Sequence, residues 1–328
     1  INCKFMENKN ISYKYNPDNP LLVGGQAVIE GVMMKAPNAI ATAVRRANGE
    51  IEIKKEPFIS ISSKYPLLKT PFLRGIVNFI EMMIIGIKTL NYSADIALQD
   101  SDYDDKRKDN KKNYSNLTTA ITLIIAFLIG MVVFFVFPLF VTTKLFHFEN
   151  NILAFNLVTG FFRLLLFLLY VFIISKMKDI YRIFQYHGAE HKLVFTFEEG
   201  KELTVDNAKN FTTFHPRCGT SFLVVVFIVA IISFALLDAI IISKLGYINL
   251  PIRLLVHLPF IPFLGGISYE FIRLSAKKSD SFLGKMLALP GLWLQRITTK
   301  EPDENQLEVA LCALKSALEY SFELENKK

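Results

Sequence analysis

Apolar residues are distributed unevenly along this chain, and changes in their spacing divide it into parts of different kinds. Residues 21–37 carry a short β-type pattern broken by glycines, and 41–46, 50–55 and 58–62 are further candidate strands. Asn48-Gly49 is the residue pair that tight hairpin turns favour. Alternation in Ile51-Glu52-Ile53-Lys54 predicts one buried face and one wet face. Residues 1–64 therefore read as a small, mostly antiparallel β-rich module behind a loose polar lead-in at 1–19. From Pro71 the period lengthens to that of a helix, with Phe72, Ile76, Phe79, Ile80, Met83 and Ile87 in one stripe. Arg74, Asn78, Glu81 and Lys88 interrupt it, and lipid burial of such groups is expensive. Residues 65–116 are accordingly expected to form an amphipathic interfacial helix and a charged tether at 99–112.

Four runs then reach the roughly 20 apolar residues that a bilayer requires. They predict spans at 117–142 and 151–174 (within 117–174), and at 220–243 and 251–269 (within 220–270). The last run contains Pro251, Pro259, Pro262, Gly265 and Gly266, so a broken or re-entrant segment buried against protein is expected there. Residues 175–219 form a connector between the two pairs. Residues 271–328 add an interfacial segment around Trp293 and an amphipathic helix from Glu304, expected to dock on the β module. The fold class is a polytopic α-helical membrane protein with four spanning helices, an N-terminal β-rich module and a C-terminal helix.

Composition supports this reading. Hydrophobic residues make up 52%, with 29 Phe, which is too apolar for an ordinary soluble enzyme. A net charge of +7 would point to nucleic acid in a soluble protein. Here the basic residues flank apolar runs, so membrane lipids are the expected partner and nucleic acid is not. Lys and Arg gather in 1–116, 175–219 and 271–300 and are sparse in the short loops between paired spans. With four spans, the positive-inside rule places both termini and the connector in the cytosol of a plasma-membrane protein. Residues 1–19 lack the apolar core of a secretory signal, so insertion is expected to rely on internal spans. Lipid-facing and helix-facing apolar positions look alike in sequence, which leaves homo-oligomerisation open.

Candidate chemistry is concentrated in the connector. His187-Gly188-Ala189-Glu190-His191 satisfies HxxEH, in which two histidines one helical turn apart hold zinc and the glutamate handles protons on a water. His215-Pro216-Arg217-Cys218 adds two further zinc-type donors just before the third span, near a helix N-terminus. His187, His191, His215 and Cys218 together would close a tetrahedral structural shell around Zn2+. Three of them plus water would leave zinc open for hydrolysis, with Glu190 as base. Glu270, at the end of the fourth span, is a candidate further ligand or a partner orienting a histidine. Arg217 could recognise an anionic group. His215 activating Cys218 as a nucleophile is a third possibility, although Pro216 restricts the backbone between them. Gly24-Gly25 and Gly31 match neither phosphate-binding fingerprint, and turns or close packing explain them.

The strings Gly24-Gly25-Gln26-Ala27-Val28-Ile29-Glu30-Gly31-Val32-Met33-Met34, Tyr186–Lys192, His215–Ser221 and Thr299-Lys300-Glu301-Pro302-Asp303 resemble the YqhQ-like bacterial membrane proteins, domain of unknown function 1385. The resemblance runs from residue 21 to the end. It implies a metal-dependent membrane enzyme and marks 186–192 and 215–221 as family hallmarks, without assigning a substrate. The leading expectation is a zinc-dependent hydrolase at the cytosolic membrane face, acting on a lipid-linked or peptide substrate. A membrane scaffold with a closed structural zinc site, offering its β module to a protein partner, is the alternative. A transporter is the third, but the first three spans hold few ionisable residues beyond Arg163 and Asp238.

Overall fold

The computed structural model describes residues 21–104, 116–146, 151–276 and 282–327; the lead-in at 1–19 and the tether beyond 104 lie outside the described residues. Four strands, β1 Gly24–Val28, β2 Gly31–Ala36, β3 Ala39–Arg45 and β4 Ile51–Pro57, form an antiparallel meander in sequence order. The single β pattern at 21–37 is thus two strands joined at Ile29-Glu30, with Val28 opposite Gly31. Glu30 adopts a left-handed φ of 51°, and Arg182 and Tyr186 both bond its carboxylate. The expected strand at 58–62 does not form. The chain leaves the sheet at Pro57, and Ser60 caps a single helical turn at Ile61–Lys64.

Eight longer helical stretches accompany the sheet: α1 Leu73–Asp104, α2 116–146, α3 Ile152–Ile174, α4 Lys178–Glu198, α5 Gly219–Leu245, α6 Leu250–Ala276, α7 Phe282–Thr298 and α8 Glu304–Glu325. Helix α2 includes two π-helical turns, Val132–Val136 and Thr142–Phe146. Strands β2 and β3 are buried almost throughout because helices cover both faces. On one face Val32, Met34, Ala41 and Ala43 pack with Tyr186, Leu193 and Phe197 of α4 and Leu307, Leu314 and Leu318 of α8. On the other, Ile96 of α1 packs with Val28 and Val44. Asp303 caps α8 in a reciprocal pairing with Gln306, which fixes where the C-terminal helix begins.

The first part of the expected tether is helical. Helix α1 runs on to Asp104 because Asp100 finds partners in the turn between β3 and β4: the Arg46 guanidinium at 2.9 Å and the Ala47 N–H at 2.7 Å. At its other end α1 is clamped to α6. Arg74 bonds both oxygens of Glu270, at 2.7 and 2.5 Å, and a Cβ on Gly75 would come within 2.7 Å of the Gly266 carbonyl. Glu270 is therefore committed to helix packing rather than to the connector histidines.

Among the described residues, four helices are long and apolar enough to cross a membrane: Ile124–Phe146, Ile152–Ile174, Phe222–Leu245 and Leu250–Phe271. The protein is a polytopic helical membrane protein with a small antiparallel sheet. The fourth of these helices is not broken as expected; α6 is continuous through Pro259 and Pro262. The prolines are one turn apart, so the lost N–H bonds fall in adjacent turns. Just beyond the prolines α6 packs against α1 at Gly266 and against α5 through Leu264.

Asp238 gathers several polar partners inside this bundle. Asp238 of α5 is fully buried, 2.9 Å from His257 and 3.2 Å from Arg253 of α6, and takes the Asn156 amide of α3 at 2.9 Å. The Arg163 guanidinium lies over the Phe135 ring, 4.1 Å from its centroid. Removing one partner of a buried ion pair costs about 3–5 kcal/mol. Asp238→Asn should therefore lower the thermal unfolding midpoint in detergent sharply. An unchanged midpoint would mean that the pairing contributes little to holding α3, α5 and α6 together.

Candidate metal centre

Helix α4 carries the first motif in register. His187 and His191 face the same side, with ring centroids 4.5 Å apart. The His187 Nδ1 lies 2.8 Å from the Thr298 carbonyl oxygen, and the His191 Nδ1 2.5 Å from that of Thr213. A carbonyl can only accept, so each Nδ1 bears a proton and Nε2 is the nitrogen left to serve as a ligand. Such outer hydrogen bonds are how metal-binding imidazoles are oriented. The His187 Nε2 is 3.3 Å from Cys218 Sγ. Ligand atoms of His187, His191 and Cys218 all lie within 4.8 Å of one another. Cys218 is a free thiol at the N-cap of α5, where Thr220 donates to its sulfur from both its backbone N–H and its hydroxyl, each at 3.4 Å.

His215 stands beside this trio and is held differently. Its Nδ1 accepts the Arg217 N–H at 3.3 Å, so its Nε2 bears the proton and faces Glu198 at 3.4 Å. Its backbone is fixed by a reciprocal pair with Gln295 of α7, both bonds 2.8 Å. Of the four expected donors, three converge and His215 does not join them. His215 is also not placed to activate Cys218, because both its ring nitrogens are engaged elsewhere. Arg217 pairs with Glu198. Glu198 thus holds both His215 and Arg217.

Glu190 is buried beside the donors. One oxygen accepts the Gly25 N–H of β1 at 2.8 Å; the other is 3.5 Å from the His191 Nε2. Burial pushes the Glu190 carboxyl above its ordinary pKa, opposed by His187, His215 and the Gly25 N–H. Burial likewise holds the imidazoles of His191 and His215 below the usual histidine range. A cavity of about 570 Å³ opens here, lined by His187, Glu190, His215 and Cys218 among others.

Gly188 explains how the site is assembled. A Cβ there would sit 2.1 Å from the Lys300 carbonyl oxygen, so only glycine lets residues 298–300 lie across α4. The Lys300 N–H bonds the Phe184 carbonyl at 2.9 Å, and this segment delivers the Thr298 oxygen to His187. The Lys192 ammonium is buried against Glu301 and the Lys209 carbonyl. Three strings that lie apart in sequence, 186–192, 213–218 and 298–303, thus form one structure. Gly188→Ala should displace 298–300 and loosen His187. Its check is bound metal in purified protein, which is expected to fall by about 10–100-fold in affinity, as for other losses of orienting partners. Unchanged affinity would separate the strap from the site.

The chain belongs to the family described as "Protein of unknown function (DUF1385)", which matches residues 70–320. It is 36% identical over 299 residues to "Uncharacterized protein YqhQ" of Bacillus subtilis (strain 168), covering 89% of this chain and 91% of the relative. No solved structure matches.

Proposed function

We propose that this protein is a zinc-dependent membrane hydrolase whose site sits at the cytosolic edge of the plasma membrane. The carrying observation is the convergence of His187, His191 and Cys218 within 4.8 Å, with both imidazoles aimed by backbone carbonyls. Three protein donors suit an open, catalytic zinc site better than a closed structural one. Zinc held there supplies Lewis acidity and makes water a stronger acid. Glu190 takes up the proton: the Gly25 N–H fixes one oxygen and leaves the other near His191, in the wall of the cavity. Arg217 and Glu198 pair with each other, and Glu198 keeps the His215 Nε2 engaged. The orientation rests on charge. Lys176, Lys178, Arg182 and Lys192 follow α3 on the site's side, whereas the loop after α5 (Gly246-Tyr247-Ile248-Asn249) has no Lys or Arg. Both termini are then cytosolic.

The test is cleavage of a panel of short-chain carboxylic and phosphate esters by zinc-loaded protein, expected to be abolished by chelation and restored by zinc. A protein that holds zinc through a fourth side chain and cleaves nothing in the panel would be a scaffold instead. One distance favours a second reading: the His187 imidazole is close enough to Cys218 to act as its base, with Thr298 orienting the ring. Turnover that survives chelation but is lost on thiol alkylation would select it.

A further inference from the structure

The cavity beside the donors extends well past them. Much of its remaining lining is apolar, from Leu22 and Val23 before β1, Met82 of α1, and Ile183, Phe184 and Val194 of α4. Its place relative to the membrane follows from the chain. Cys218, Gly219 and Thr220 line it, and the apolar span of α5 begins at Phe222. At 1.5 Å per helical residue the cavity is within about 6 Å of that boundary. The Phe222 ring touches Phe79 of α1, 5.7 Å between centroids, one turn before Met82. On α1 the neighbouring Ile80, Met83, Ile84 and Ile87 are all about half exposed, an apolar stripe at helical spacing that continues outward from the cavity's rim. A stripe of this kind next to a spanning bundle suits the membrane interface.

The cavity's polar lining includes a cation. Lys35 of β2 lines it, with its ammonium 4.7 Å from the Phe58 ring and no carboxylate within ion-pair distance among the described residues. Glu81, the acid that most influences it, is occupied by the Ser60 hydroxyl and the Ile61 N–H. Burial lowers the Lys35 pKa, as expected of an ammonium short of counter-charge. Nothing lies within 4 Å of a Cβ built on Gly219, so the first turn of α5 opens onto free space. The Thr220 N–H is spent on Cys218 Sγ, and what the turn offers an anion is the positive end of the helix dipole.

We propose that this cavity binds a phosphate-bearing amphiphile, its headgroup between Lys35 and the first turn of α5 and its chain leaving past Met82 along α1. Resting on the hydrolase reading, this names the substrate class as a lipid phosphate or lipid-linked phosphate rather than a peptide. These walls join apolar surface to a positive charge, which is the pattern of an amphiphile with an anionic headgroup. Free phosphate would use only the polar end.

The test is titration of the protein in phosphatidylcholine nanodiscs with dihexanoyl phosphatidate, dihexanoylglycerol and inorganic phosphate, with zinc content measured on the same samples. Phosphatidate should bind at least about tenfold tighter than either comparator, as one charge-assisted bond warrants. Lys35→Met should remove that advantage and leave zinc unchanged, while Met82→Asp should weaken phosphatidate without affecting phosphate. Equal binding of phosphatidate and dihexanoylglycerol, or an unaltered Lys35→Met, overturns the proposal while zinc content leaves the metal centre standing. Phosphate binding as tightly as phosphatidate overturns the amphiphile and reassigns the cavity to a free anion. Wild type without zinc that still prefers phosphatidate keeps the cavity's role and removes the hydrolase reading.

Discussion

Alanine at Cys218, His187 or His191 should each strip the purified protein of zinc, while alanine at His215 should leave about one equivalent in place. The contrast comes from the ring nitrogens. His187 and His191 spend their Nδ1 protons on the carbonyls of Thr298 and Thr213 and keep Nε2 for the shared space around Cys218. His215 spends Nδ1 on the Arg217 N–H and aims Nε2 at Glu198. Loss of one of three ligands leaves too few donors for a stable site. Loss of His215 removes only a neighbour, for which an effect of about 10–100-fold in affinity is the upper range. Elemental analysis of the four variants beside wild type reads the outcome. Equal loss in all four would restore the closed shell of three histidines and one cysteine.

Glu190→Gln should retain zinc and lose turnover of any ester that the wild type cleaves, by about 10²–10⁴-fold. The substitution keeps the shape of the side chain and an oxygen to accept the Gly25 N–H, so the packing of β1 against α4 should survive. What it removes is the ability to take a proton. A Glu190→Gln protein with wild-type turnover would move the base elsewhere in the cavity. One that lost zinc as well would make Glu190 a ligand.

Local spacing made much of this legible. Four apolar runs identified the spanning helices, and the one-turn interval between His187 and His191 put both rings on one face of α4. Cys218 could be attached to them because a polar turn before a span must lie at the bundle's end. What escaped depends on partners far along the chain. Gly188 is an unspecified position of HxxEH, yet the Lys300 carbonyl occupies the place of its side chain. His215 read as a ligand because its spacing to Cys218 is right, but Gln295 and Glu198 decide where it points. Glu270 sat at the expected end of its span and was claimed by Arg74, a residue that had looked only like an interruption in an apolar stripe. Arg253 and His257 had no evident role until α5 brought Asp238 to both. The prolines of α6 predict a break when the helix is considered alone and not when α1 and α5 flank it.

The central claim is that two imidazoles and one thiolate share an ion at the membrane edge. Zinc K-edge absorption on the stoichiometrically loaded protein tests it most directly. The predicted spectrum has one sulfur at about 2.3 Å and two imidazole nitrogens at about 2.0–2.1 Å, with one further light scatterer. A shell of oxygen and nitrogen without sulfur, or a protein that takes up no zinc, would contradict it.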